Sequence, residues 1–309
     1  MPPTLKPGKT GSRSSKIIVV VIAIATTVLI RACSDAPGPK PESKKEATTP
    51  KPAYLVYVSN EGSGDMSVID PNQPQAVATI PLGKRPRGIH AGPDGMIYVA
   101  LSGSPSAPPG VDESTLPPPD KSADAIGVVD LGQQKVVRKL YGGSDPEQFA
   151  ISQDGKLMYI ANEDAAGASI IELGGEGKVL TTIPTGEEPE GVTMSPDGKY
   201  VYVTSEDEGT VSVIDTAARK AIKKIKVGRR PRSVEFLPDG TRAFVTNEND
   251  ASVTVLDTVA HKALRTIKVG EGLKPMGTAM SRDGSKLYVS TGRGKKVLII
   301  DTATEKVLH

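Results

Sequence analysis

The sequence predicts an all-β fold, a β-propeller of four-stranded antiparallel blades, on three observations. A tight turn ending in Asp-Gly recurs as GPDG, SQDG, SPDG, LPDG and SRDG, closing at Gly95, Gly155, Gly198, Gly240 and Gly284. A second marker, VID, VVD, VID, VLD and IID, ends at Asp70, Asp130, Asp215, Asp257 and Asp301, with Glu172 replacing Asp in the third unit. Around both, four short runs of alternating β-branched residues repeat about every 43 residues, the period of a propeller blade. Composition agrees: Gly (32) and Pro (26) are frequent, Trp is absent and Phe occurs three times, which suits a turn-rich β protein.

The unit beginning at Arg230 shows the pattern: SVEF, RAFVTN, SVTVLDT and KALRTIKV read as strands a to d. Between a and b the PDG turn needs a residue that tolerates positive φ, which Gly supplies. After c, Asp257-Thr258 can satisfy backbone donors of the c-to-d turn. The first unit, residues 54–83, supplies only b, c and d, so its a strand is expected from the C-terminus as the ring closure. Five further units follow, and the last stops at Lys306-Val307-Leu308-His309, early in its d strand. A proline-rich insertion, residues 104–124, separates b from c in the second unit and is expected to overhang one face as a partner surface.

Ahead of the repeats lies a different kind of chain. Lys6, Lys9, Arg13 and Lys16 precede an apolar or Thr run from Ile17 to Ile30, a basic n-region followed by an h-region. At the helical rise that run spans about 21 Å, short of a hydrocarbon core of about 30 Å, which favours an export signal over a mature spanning helix. Residues 1–33 are therefore expected to be a signal peptide or membrane anchor. Residues 34–53, rich in Pro and Lys, are expected to be a linker, and 54–309 the propeller. The segment LIRAC resembles a bacterial lipobox, although Arg31 departs from its pattern. That resemblance implies a lipid on Cys33, with an uncleaved anchor and plain cleavage as the alternatives. All three put the propeller on the periplasmic side of the membrane.

The second strand of each unit carries a further likeness. YVSN at Tyr57, YIAN at Tyr159, YVTS at Tyr202, FVTN at Phe244 and YVST at Tyr288 resemble the signature of YVTN-repeat propellers. The long first interval followed by GGSDPEQF is similar to the subgroup associated with pyrroloquinoline quinone-dependent alcohol catabolism. The resemblance implies a periplasmic accessory protein and assigns no reaction. Its family usually has seven repeats, so about six blades are visible and one blade with the closing strand is expected to be missing.

Charge narrows the function classes. Thirty-eight basic and 36 acidic residues nearly cancel, which removes the long-range field that draws a protein to nucleic acid. The local charges fall instead in the d-to-a loops, KRPRG, SDPEQ, EEPEG, RRPRS and LKPMG, each with a proline that stiffens the crossing between blades. They place Arg85, Arg87, Asp145, Glu147, Glu188, Glu190, Arg230, Arg232 and Lys274 at one mouth of the central channel. The b-to-c turns send Glu61, Glu163, Glu206 and Glu248 to the same face. Two readings follow: charges paired between neighbouring blades, or a polarised mouth that binds a periplasmic protein partner or a small anionic ligand. His90 and Glu235 occupy matching positions of inner strands and could face the channel.

No nucleophile elbow, paired-histidine zinc motif, P-loop or dinucleotide fingerprint occurs. A non-catalytic binding or scaffold module, with no cofactor and no metal, is the expectation. The alternative is a propeller enzyme resembling the haem domain of nitrite reductases or the metal-dependent sugar lactonases, using the channel around His90 and Glu235. A single His falls short of the three or four ligands a transition metal takes.

Overall fold

Each of the recurring runs becomes a strand, and each unit a blade. The computed structural model describes residues 54–106, 115–175, 177–292 and 294–308, with Pro52 and the pair Ile18–Val19. Blade one holds β1 (Ile18–Val19), β2 (Val56–Asn60), β3 (Asp65–Ile69) and β4 (Ala76–Pro81). Blade two holds β5 (Pro86–Ala91), β6 (Ile97–Leu101), β7 (Ala125–Asp130) and β8 (Lys135–Leu140), and blade three β9 (Pro146–Ile151), β10 (Leu157–Asn162), β11 (Gly167–Glu172) and β12 (Val179–Pro184). Blade four is β13 (Pro189–Met194), β14 (Tyr200–Ser205), β15 (Thr210–Asp215) and β16 (Lys220–Lys226). Blade five is β17 (Pro231–Phe236), β18 (Arg242–Asn247), β19 (Ser252–Asp257) and β20 (Lys262–Lys268). Blade six has β21 (Pro275–Met280), β22 (Lys286–Thr291) and β23 (Val297–Asp301), and Val307 bridges Ile300 where its d strand begins.

The turns behave as their residues dictate. In all five Asp-Gly hairpins the aspartate carboxylate accepts the amide two residues on, at Met96, Lys156, Lys199, Thr241 and Ser285. After strand c the marker aspartate closes an Asx turn, as Asp215 does with the Ala218 amide at 2.7 Å. The next threonine then reaches back: Thr216 donates to the Gly198 carbonyl at 2.9 Å, tying the c-to-d turn to the a-to-b turn on one face.

Strands b and c lie between neighbouring blades and are buried on both sides, so that five of the six residues of β14 and of β15 are buried. The outer strands β16 and β20 are mostly exposed and carry lysines, a pattern that discourages edge pairing with other chains. The core is accordingly a series of layers between successive blades. Tyr202, Val211 and Val213 meet Val234, Phe236 and Val245 between blades four and five. Phe149, Tyr159, Tyr202 and Phe244, each in a different layer, are fully buried, and burial of one such ring contributes roughly 4 kcal/mol before entropy is set against it.

One expectation needs revision. The innermost place of blade one is taken by Ile18–Val19, running parallel to Val56–Tyr57, and not by a strand from the C-terminus. The free inner edge of β2 offers unpaired backbone groups, and a β-branched segment satisfies them from either end of the chain. The described residues form six blades, as expected, and blade six leaves its outward face open: Tyr288 is 36% exposed, where its counterparts Tyr159 and Tyr202 stand at 1% and 0%. Among the described residues no helix is long and apolar enough to cross a membrane. The expected signal or anchor helix, Cys33 and all of the linker except Pro52 lie outside the described residues apart from Ile18–Val19, as do residues 107–114 of the insertion.

Candidate functional site at the channel mouth

Two backbone devices build the mouth. The residue before each of the first four loop prolines is left-handed: Arg85, Asp145, Glu188 and Arg230 have φ of 41°, 51°, 48° and 55°. For a residue with a Cβ that conformation costs roughly 1 to 2 kcal/mol. It is held by a repeated main-chain clip, in which the loop carbonyl accepts an amide from its own blade's b-to-c side. Glu163, Glu206, Glu248 and Gly292 donate to Asp145, Glu188, Arg230 and Lys274 at 3.1, 2.9, 2.9 and 2.8 Å.

The second device follows each proline. Pairing of strands a and b slips between Pro86 and Ile89, Pro189 and Val192, Pro231 and Val234, and Pro275 and Thr278, with an equivalent slip in blade three. The bulge frees the two residues between from the ladder and re-aims the first, which is Arg87, Glu147, Glu190 or Arg232. The hydroxyl of the YVTN-like segment repairs the ladder: Thr204 accepts from the Gly191 amide at 2.7 Å and Thr246 from the Ser233 amide at 3.1 Å. Thr246 also donates to the Met276 carbonyl of the next blade at 2.6 Å.

Thus aimed, the side chains form one ion-pair chain across blades one to six. Arg85 meets Glu61 at 2.6 Å. Arg87 contacts Glu147 and lies 3.5 Å from Glu190. Glu190 in turn lies 3.0 Å from Arg232, which also pairs with Glu206. Arg230 is 2.7 Å from Glu206 and 3.3 Å from Glu248, and Lys274 is 4.0 Å from Glu248. Pairing between blades is therefore present. Burial opposes the Arg87 charge, but Glu147, Glu190 and Glu61 outweigh it and raise its pKa. Glu190 is held below the ordinary carboxylate range because Arg232 and Arg87 overcome its burial. Glu147 moves the other way: burial, reinforced by Glu190, pushes it well up. Glu188 joins the set at the mouth through its backbone clip to Glu206.

The described foot of the insertion is fastened to this mouth. Asp124 accepts the Gly103 amide at 2.7 Å and the Asp145 amide at 2.9 Å, while Lys121 pairs with Asp164. His90 sits edge-on to Phe149 of the next blade, ring centroids 4.9 Å apart, and burial lowers its pKa to about 4. That places a neutral imidazole against the aromatic ring of the neighbouring blade. Glu235, at the matching place in blade five, has its carboxyl pushed up to about 7 by burial.

Sequence reasoning missed Arg229. It lies one residue outside the aligned charge positions, pairs with Asp250 at 2.6 Å, and remains 77% exposed. With Arg230, Glu206, Asp207, Lys226 and Asn249 it lines a rim groove of about 250 Å³ between blades four and five.

A family model described as YNCE-like beta-propeller matches residues 121–238. The chain is a β-propeller. Two solved structures share the fold: one titled Kuenenia stuttgartiensis hydrazine synthase, 22% identical, with TM-score 0.66 over 85% of this chain and 80% of that one. The other, a functionally unknown protein from Desulfotomaculum acetoxidans DSM 771, is 14% identical, with TM-score 0.65 over 82% of this chain and 80% of that one. At such identities the likeness is one of fold. A search of curated proteins found no match.

Proposed function

We propose that this propeller is an exported, non-catalytic binding module, held at the periplasmic side of the membrane by its N-terminal segment. It receives the acidic side chain of a protein partner, or a small carboxylate, at the rim between blades four and five. One observation carries the reading: Arg230 is 47% exposed between Glu206 and Glu248 and opens, beside Arg229, onto the rim groove. Arg87 and Arg232, at 14% exposure each, are already committed to glutamates and set the shape of the mouth. A guanidinium reachable from solvent, with acids on both sides, can exchange one of them for an incoming carboxylate, which it can grip bidentately. The likeness in the first interval adds the setting: an accessory to a periplasmic quinone-dependent alcohol-oxidation or transport system.

The test is calorimetric titration of the protein with glutarate, and retention of partner proteins from the native membrane fraction, for wild type and the double variant Arg229→Gln, Arg230→Gln. We expect at least a fivefold loss of affinity and loss of the retained partner, both weakening with salt. Equal binding by wild type and variant would defeat the proposal.

A further inference from the structure

Next to the arginine-bridged chain lies a second constellation made only of carboxylates. Asp145 ends the loop into β9, Glu147 occupies the bulge of that strand, and Glu163 opens the short 3-10 turn after β10. One oxygen from each lies within 4.8 Å of the others.

Acidic clusters are common on surfaces, but this one is largely dry. Asp145 is 4% exposed and Glu147 1%. Glu147 Oε2 contacts the Arg87 guanidinium as an ion pair, while Oε1 accepts from no N–H or hydroxyl among the described residues, and the carboxyl stands against those of Glu163 and Glu190. A buried carboxylate oxygen left in that state is unfavourable unless something positive stands against it. The surroundings share the deficit. Among the described residues the cations set against Asp124, Asp145, Glu147, Glu163 and Asp164 are Arg87 and Lys121, while Glu190 is shared between Arg87 and Arg232.

We propose that Asp145, Glu147 and Glu163 form a binding site for a hard divalent cation of the Ca²⁺ class. The donors are all oxygen, with no His or Cys in the described cluster, which selects Ca²⁺ or Mg²⁺ over the transition metals. Ca²⁺ takes six to eight oxygens in irregular geometry, and the half-buried Glu163 leaves room for water to complete the shell. Arg87 keeps the other oxygen of Glu147 and stays bound to Glu190. The cation joins the loop between blades two and three to the b-to-c turn of blade three. It lies beside the insertion foot, where Asp124 holds the Asp145 amide.

The full chain, treated with a chelator and dialysed, is titrated calorimetrically with CaCl₂ and separately with MgCl₂ at about pH 7.5, with melting curves in parallel. We expect one site, Ca²⁺ tighter than Mg²⁺, a Kd of order 10⁻⁵ to 10⁻³ M and a rise in Tm. Glu147→Gln and Glu163→Gln should each weaken Ca²⁺ at least tenfold with an unchanged far-UV spectrum, while Glu172→Gln, on an exposed strand end, leaves it intact. Should Glu147→Gln fail to fold, Glu163→Gln carries the test. Absence of saturable heat and of any Tm change at about 5 mM CaCl₂, or wild-type affinity in Glu163→Gln, overturns the site.

Discussion

Glu235 brings a carboxyl into an interblade seam where no described group bonds to it, and burial alone moves its pKa to about 7. Unfolded, the same group titrates near 4.3. Between those values the folded protein holds a proton that the unfolded chain has released, so this residue's contribution to stability declines as pH rises through that window. Glu235→Gln should therefore match wild type below about pH 4 and exceed it by up to roughly 3 kcal/mol above about pH 8. Urea denaturation at the two pH values measures the difference, and a gain of equal size at both would show that the carboxyl does not titrate as argued. The sequence displayed Glu235 as the odd member among Ala150, Thr193 and Ala279, but its environment depends on the facing blade.

At the scale of the element, the YVTN-like recurrence was visible in the sequence while its reason was not. A bulge is a property of register between two strands, and no single run reveals it. With the pairing known, the third position of the motif becomes intelligible: its hydroxyl bonds the bulged amide that the ladder has abandoned, as Thr246 does for Ser233. Thr246→Val keeps the volume and strands both that amide and the Met276 carbonyl, so a loss of about 1 to 3 kcal/mol is expected, read from denaturant midpoints. A neutral result would mean that water repairs the bulge. The same limit explains the mouth. Alignment of the loops identified which charges share a face, but which Arg meets which Glu depends on the left-handed residue and the bulge beside each proline.

The whole molecule is a stack of blades whose apolar layers join each only to its neighbours. That much followed from the repeat, because a single blade cannot bury both of its faces alone. The origin of β1 did not follow: the repeat pointed to the C-terminus for the strand beside β2, and Ile18–Val19 takes that place. Layering makes position in the stack matter more than residue type. Tyr202→Ala, within a closed layer, should cost about 3 to 5 kcal/mol, whereas Tyr288→Ala, on the open face of blade six, should cost about 1 or less. Thermal melts of the two variants decide this, and equal losses would mean that the open face is covered in solution.

The main-chain clips that seat the loops at the mouth have a consequence for how such a protein diversifies. Each clip runs from carbonyl to amide, at Asp145, Glu188, Arg230 and Lys274 alike, so the scaffold asks nothing of the side chain there. Inheritance can then exchange an acid for a base on one blade without disturbing the geometry of the next. Descendants of one ancestral repeat would acquire new recognition by point substitution at the rim, and blades four and five, with Glu188 and Arg230 in corresponding places, already illustrate two outcomes of that process.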